Sequence, residues 1–148
     1  MVKGLGHVVL KVRDLDRSAA FYREALGLKE VARDPGDRMV FFTADGTGNH
    51  HDLAVMEVGR EAPGADPRAV GLAHVAFKVG DHLDDLRAMR ERLTRHGVVI
   101  RGMSDHAVSQ SLYFSDPDGN TLECYVDADP AIWREKPETV ATIRPLSL

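Results

Sequence analysis

Gly4-Leu5-Gly6-His7-Val8-Val9-Leu10-Lys11-Val12 and Gly71-Leu72-Ala73-His74-Val75-Ala76-Phe77-Lys78-Val79 are two copies of one segment, identical at six of nine positions. A self-match of this kind marks a tandem repeat and sets the architecture before any motif is considered. Each copy reads as a strand that runs into an aspartate, then an amphipathic stretch closed by glycine. In the first half, Leu15, Ala19, Tyr22 and Leu26 fall at helical spacing between the cap candidate Asp14 and Gly27, which predicts a helix over 15–26. In the second, Leu83, Leu86, Met89 and Leu93 follow Asp81. Arg95 and His96 there suit the negative helix end before Gly97, which predicts a helix over 82–96. Short strands are expected at 29–34, 38–44 and 51–58, and again at 98–103, 110–115 and 121–126. Asp116-Pro117-Asp118-Gly119 supplies the turn before the last.

The prediction is an α+β chain of two tandem βαβββ modules, at about 4–60 and 71–127. A linker near 61–70 carries Pro63, Gly64 and Pro67. Beyond Ala128, Pro130, Pro137 and Pro145 break any periodicity, so 128–148 is expected to be an arm that packs on the domain or on a partner subunit. At 148 residues the whole is the size of a single domain, and 43% hydrophobic with 28% charged residues is an ordinary globular balance. A net charge of −4 gives no reason to expect a nucleic-acid partner. The single Cys124 excludes an intrachain disulfide and a cysteine-rich zinc site. With no apolar run of membrane-spanning length and no signal-like start, the expectation is a cytoplasmic protein without a membrane partner.

Histidine is the informative residue type, with seven copies. The repeat places His7 and His74 at matching positions on related strands, and Glu123 lies on the final strand. Two imidazoles and one carboxylate are the donor set that holds Fe(II) while leaving coordination positions open. A chain without a thiolate cluster fits that set better than structural zinc.

The chain resembles the vicinal oxygen chelate proteins over about residues 4–126. That superfamily includes glyoxalase I, fosfomycin-resistance transferases, bleomycin-binding proteins and type I extradiol ring-cleaving dioxygenases. The resemblance implies paired modules forming a cupped, barrel-like mixed sheet around one metal, in a homodimer. Among these families the dioxygenases are the best match. Asn49-His50-His51-Asp52-Leu53-Ala54-Val55-Met56 resembles their strand bearing an active-site histidine, which would be His51. Asp105-His106-Ala107-Val108-Ser109 resembles the loop that supplies a second, which would be His106. The run from Leu112 to Glu123 resembles their closing signature, with Tyr113 ten residues before the carboxylate.

The resemblance implies Fe(II), with Mn(II), Ni(II) or Zn(II) as alternatives, and a small aromatic catechol and dioxygen as substrates. It gives Tyr113 a substrate hydroxyl to bind, His51 a proton to deliver, and His106 a role as an acid or substrate anchor. Two other readings stay open. In a glyoxalase-like isomerase or lyase a fourth ligand comes from a glutamate near residue 57, and Glu57 shares strand parity with His51. In a metal-free, bleomycin-resistance-type binding protein there is no turnover. The tail residue Trp133 is a candidate for covering a pocket mouth or a dimer contact.

Overall fold

On the first strand, β1 (Val8–Val12), Leu10 and Val12 are buried while Val9 and Lys11 are exposed, the alternation of a sheet with one covered face. What covers it is α1 (Leu15–Glu24), capped by Asp14, whose carboxylate accepts from Arg17 N at 3.0 Å. Its Leu15, Ala19 and Tyr22 meet Val40 and Phe42 of β3 (Met39–Thr43) and Leu53 and Val55 of β4 (Leu53–Glu57), all buried. Each large side chain buried in this way contributes about 1.5–3 kcal/mol. The outer strand is β2 (Lys29–Arg33), and the sheet order is β1-β4-β3-β2, with β1 parallel to β4 and the other pairs antiparallel. The structure, a computed structural model, describes residues 1–64 and 68–148; Pro67 of the expected linker lies outside the described residues.

Two compact units are present, each with its own sheet. The first comprises Met1–Val70 together with Asp116–Asn120. The Asp-Pro-Asp-Gly turn is built around Asp116, whose Oδ1 accepts from Asp118 N at 2.9 Å and Asn120 N at 2.8 Å. It is tied to α1 by Tyr22 Oη, which donates to Asp116 Oδ2 at 2.8 Å, and by Arg17, paired with Asp118 at 2.5 Å.

The second unit repeats the plan with β5 (Val75–Gly80), α2 (Leu83–Arg95), β6 (Gly102–Asp105), β7 (Ser109–Ser115) and β8 (Thr121–Asp127). Leu86 and Leu93 of α2 pack with Leu112, Phe114, Leu122, Cys124 and Val126. The order β5-β8-β7-β6 matches that of the first unit strand for strand, and β5 is again parallel to its neighbour. The two βαβββ modules expected from the repeat are therefore present. Their strands form two open mixed sheets, one of four strands and one of five that includes a short strand from the C-terminal arm.

Some boundaries differ from the sequence expectation. The helix of the second unit runs one residue inside the expected 82–96 at each end, with Asp85 Oδ2 accepting from His82 N at 2.9 Å at its start. The strand expected at 98–103 begins only at Gly102, because regular pairing with β7 starts there, opposite Tyr113. The C-terminal arm has regular structure of its own: α3 (Ala131–Glu135), a 3-10 turn at Pro137–Ala141 and a short strand β9 (Arg144–Pro145) paired with β6. Trp133 is half-exposed on α3. Among the described residues no helix is long and apolar enough to cross a membrane.

Candidate active site

On β7, Leu112 and Phe114 point into the core, so Ser111 and Tyr113 occupy the other face, opposite Tyr125 and Glu123 of β8. That face carries the polar side chains of the second unit's candidate site. Glu123 is 7% exposed. A carboxylate taken so far from water has to be satisfied by partners. Its Oε1 accepts from Ser111 Oγ at 2.5 Å and its Oε2 lies 3.0 Å from Nε2 of His74, the residue just before β5. The Tyr113 ring stands edge-on to His74, with centroids 5.9 Å apart, and burial together with the Glu123 carboxylate pushes the phenol pKa upward. Tyr113 therefore keeps its proton at neutral pH. Its hydroxyl lies 2.9 Å from Nε2 of His106, which stands at the tip of the β6–β7 hairpin.

The first unit holds the other histidines. His7, just before β1, lies with its ring 4.2 Å from that of His51, which is also edge-on to Phe41 at 5.2 Å. His50 approaches with Nδ1 2.5 Å from Nδ1 of His51, so one ring donates and the other accepts. Partial desolvation and the neighbouring His7 and His50 lower the pKa of His51, which favours its neutral form. The peptide before β4 is fixed by Asp52. Its carboxylate collects Ala44 N at 2.8 Å, Thr43 Oγ at 3.0 Å, Thr47 Oγ at 3.0 Å and Asn49 Nδ2 at 2.7 Å.

Aligning the units by strand register identifies counterparts. Val9 is opposite Ala54 where Ala76 is opposite Glu123, and Ala54 is opposite Phe41 where Glu123 is opposite Tyr113. The duplicated positions are thus His7, Phe41 and Ala54 in one unit and His74, Tyr113 and Glu123 in the other. The first module has no carboxylate where the second has Glu123.

Glu57 does not replace it. Strand β4 begins at Leu53, and the chain at His51 and Asp52 is irregular, so the strand parity drawn from sequence does not carry across it. His51 turns to His7 and Phe41, whereas Glu57 turns to the helix side and accepts from Leu15 N at 2.9 Å, satisfying a free amide at the start of α1. The placement of Glu57 and His51 on one face is corrected accordingly.

Two partners escaped the sequence reading. Ser111 could have been found from the alternation Ser109, Ser111, Tyr113, Ser115, which puts a polar row on the face of Glu123. The Thr142 carbonyl, 2.8 Å from His106 Nδ1, left no such trace. Among the described residues no group of three or more His, Cys, Asp or Glu is arranged to hold a metal ion. Of the expected ligands, His74 and Glu123 are paired in the second unit and His7 stands in the first.

Comparison with known proteins bears on this arrangement. The chain is 37% identical over 135 residues to a catechol-2,3-dioxygenase of Bacillus subtilis (strain 168), covering 90% of this chain and 45% of that protein. It thus spans less than half of that relative's length. It is 33% identical over 147 residues to the glutathione transferase FosA of Serratia marcescens, covering 93% of this chain and 92% of that one. Among solved structures, a glyoxylase/bleomycin resistance protein/dioxygenase domain from Frankia sp. EAN1pec superposes with a TM-score of 0.73 at 28% identity. That match covers 88% of this chain and 96% of the other. Residues 4–124 match the family model itself, and with the duplicated fold this places the chain in the Glyoxalase/Bleomycin resistance protein/Dioxygenase superfamily.

Proposed function

We propose that this protein is a metal-dependent, extradiol-type dioxygenase that opens the ring of a catechol, with His7, His74 and Glu123 as ligands of Fe(II). The observation that carries the reading is the polar row of the second unit. There the His74–Glu123 pair lies beside a phenol that is itself hydrogen-bonded to an imidazole. The donor set fits the metal: Nε2 of His74 and Oε2 of Glu123 are 3.0 Å apart and share a proton whose place a divalent cation can take. When bound, the metal supplies two functions, chelating vicinal oxygens with a lowered hydroxyl pKa and activating dioxygen.

The chain's own residues do the rest. Ser111 holds the second oxygen of Glu123 and so fixes the carboxylate's orientation. Tyr113 directs its proton to His106 and leaves its oxygen lone pairs to accept a substrate hydroxyl. A proton taken from that hydroxyl passes to Tyr113 Oη as the Tyr113 proton moves to His106 Nε2, leaving a neutral phenol and an imidazolium. His51, packed against Phe41, is assigned the exchange of a second proton with the substrate. The hydrogen bond of Glu57 to the start of α1 favours this reading over the glyoxalase-like one, whose fourth ligand would be Glu57.

A second reading is favoured by one comparison, the match over nearly the full length of a glutathione transferase. Anaerobic purification with iron, metal analysis, and oxygen-electrode assays with catechols separate the two. The dioxygenase reading expects one iron per chain and one dioxygen consumed per catechol opened. Consumption of glutathione without oxygen uptake would replace it with the transferase.

A further inference from the structure

We propose that the C-terminal arm, through the backbone carbonyl of Thr142 between the 3-10 turn and β9, is a positioning element that fixes the tautomer of His106. A carbonyl oxygen can only accept, so the 2.8 Å contact between Thr142 O and His106 Nδ1 requires Nδ1 to carry the proton. In the neutral ring Nε2 is then a lone pair, and the 2.9 Å contact with Tyr113 is a hydrogen bond donated by the phenol. Through Nε2 the tail thus gives the Tyr113 proton an acceptor besides the Glu123 carboxylate, which the phenol also faces.

The tail is anchored on both sides of this function. Arg144 is paired with Asp105 and Pro145 with Ser104, so β9 extends the sheet at the two residues preceding His106. Beyond it, the Leu148 carbonyl accepts from Arg90 Nη1 of α2 at 2.6 Å. The hairpin is held from its own side as well. Ala107 adopts a φ of 65°, its N–H donates to Asp105 Oδ1 at 2.7 Å, and His106 N donates to Ser109 O at 2.8 Å. With the backbone of His106 fixed by the hairpin and Nδ1 fixed by the tail, Nε2 has one direction left.

The inference rests on the dioxygenase reading for its purpose, where the Nδ1–H tautomer makes Nε2 the terminal proton acceptor for the substrate hydroxyl. When that proton arrives, the imidazolium keeps its Nδ1–H on the Thr142 carbonyl, whose dipole favours the new charge. An Nε2–H tautomer would present a donor to the phenol and block the transfer.

The test reads the tautomer directly. In long-range 1H–15N spectra of the 15N-labelled full chain without added metal, His106 should show a protonated Nδ1 and an unprotonated Nε2. Truncation after Ala141 should shift the population toward Nε2–H. The full-length Arg144→Pro variant, which removes an amide from the paired strand, should shift it the same way if the truncated chain does not fold. With iron, both variants should lose about tenfold in kcat for a catechol with KM within threefold. An Nε2–H tautomer in the wild-type chain, or an unchanged Nδ1–H tautomer in a folded variant, overturns the proposal. Absence of turnover with every catechol would count against the dioxygenase reading, while the tautomer spectra would still decide the role of the tail.

Discussion

Glu57 and His51 show how much a single residue's environment decides. Both are polar residues near one strand, yet one serves a helix start and the other stands among aromatic rings. Glu57→Ala is expected to leave metal stoichiometry unchanged while lowering stability by about 1 kcal/mol, the usual worth of such a hydrogen bond. Denaturant titration and metal analysis of one preparation check both halves of that statement, and loss of the metal would restore the glyoxalase-like ligand set. His51→Ala tests the proton role. Because a proton exchanged during the reaction matters in the transition state and not in binding, turnover should fall by about 10² to 10⁴ with little change in substrate affinity. Stopped-flow mixing of the anaerobic catechol complex with oxygenated buffer measures it, and equal oxygen-dependent rates in both proteins would remove His51 from the chemistry.

At the scale of elements, the segment between β3 and β4 owes its shape to Asp52. Partial desolvation works against that carboxylate's charge. Hydrogen bonds from Ala44 N, Asn49, Thr47 and Thr43 outweigh it and hold the pKa below the ordinary aspartate range. Gly46 and Gly48, at φ of 80° and 71°, give the segment the left-handed turns that other residues adopt at a cost. A carboxylate whose pKa is depressed by folding contributes stability above its unfolded pKa near 3.9 and loses it as pH falls through the lower folded value. Asp52→Asn should therefore be less stable than wild type by about 1–2 kcal/mol from pH 5 to 8, with the gap narrowing below pH 4. Thermal unfolding across that range checks it, and a gap constant down to pH 2 would contradict the assignment.

For the whole molecule, the ligand proposal makes stability depend on metal. A cation that binds only the folded chain stabilises it by about 2.7 kcal/mol at one hundred times Kd, or roughly 5–10 °C in Tm for a chain of this size. Fe(II) under anaerobic conditions should raise the Tm of wild type and of Glu57→Ala alike. Replacing Glu123 with Ala should abolish the shift, because it removes the carboxylate that pairs with His74. A full metal-induced shift in Glu123→Ala would refute the ligand set.

The architecture was legible because the duplication wrote it twice. Two matching nine-residue segments, two helical stripes and a strong Asp-Pro-Asp-Gly turn are local signals that need no tertiary information. Of the site, the repeat picked out His74 and the final strand Glu123, while Tyr113 and His106 were named from the family resemblance before their contacts were known. What the chain left open was direction. Strand parity holds only while the strand is regular, and the irregular backbone before Leu53 sends His51 and Glu57 to different sides. The asymmetry between the modules also needed three dimensions, since only cross-strand register equates Ala54 with Glu123 and Phe41 with Tyr113. The grip of the tail on His106 was beyond sequence altogether. Its acceptor is a backbone carbonyl 36 residues away, and every residue type carries one, so only the folded chain could decide which carbonyl meets the ring.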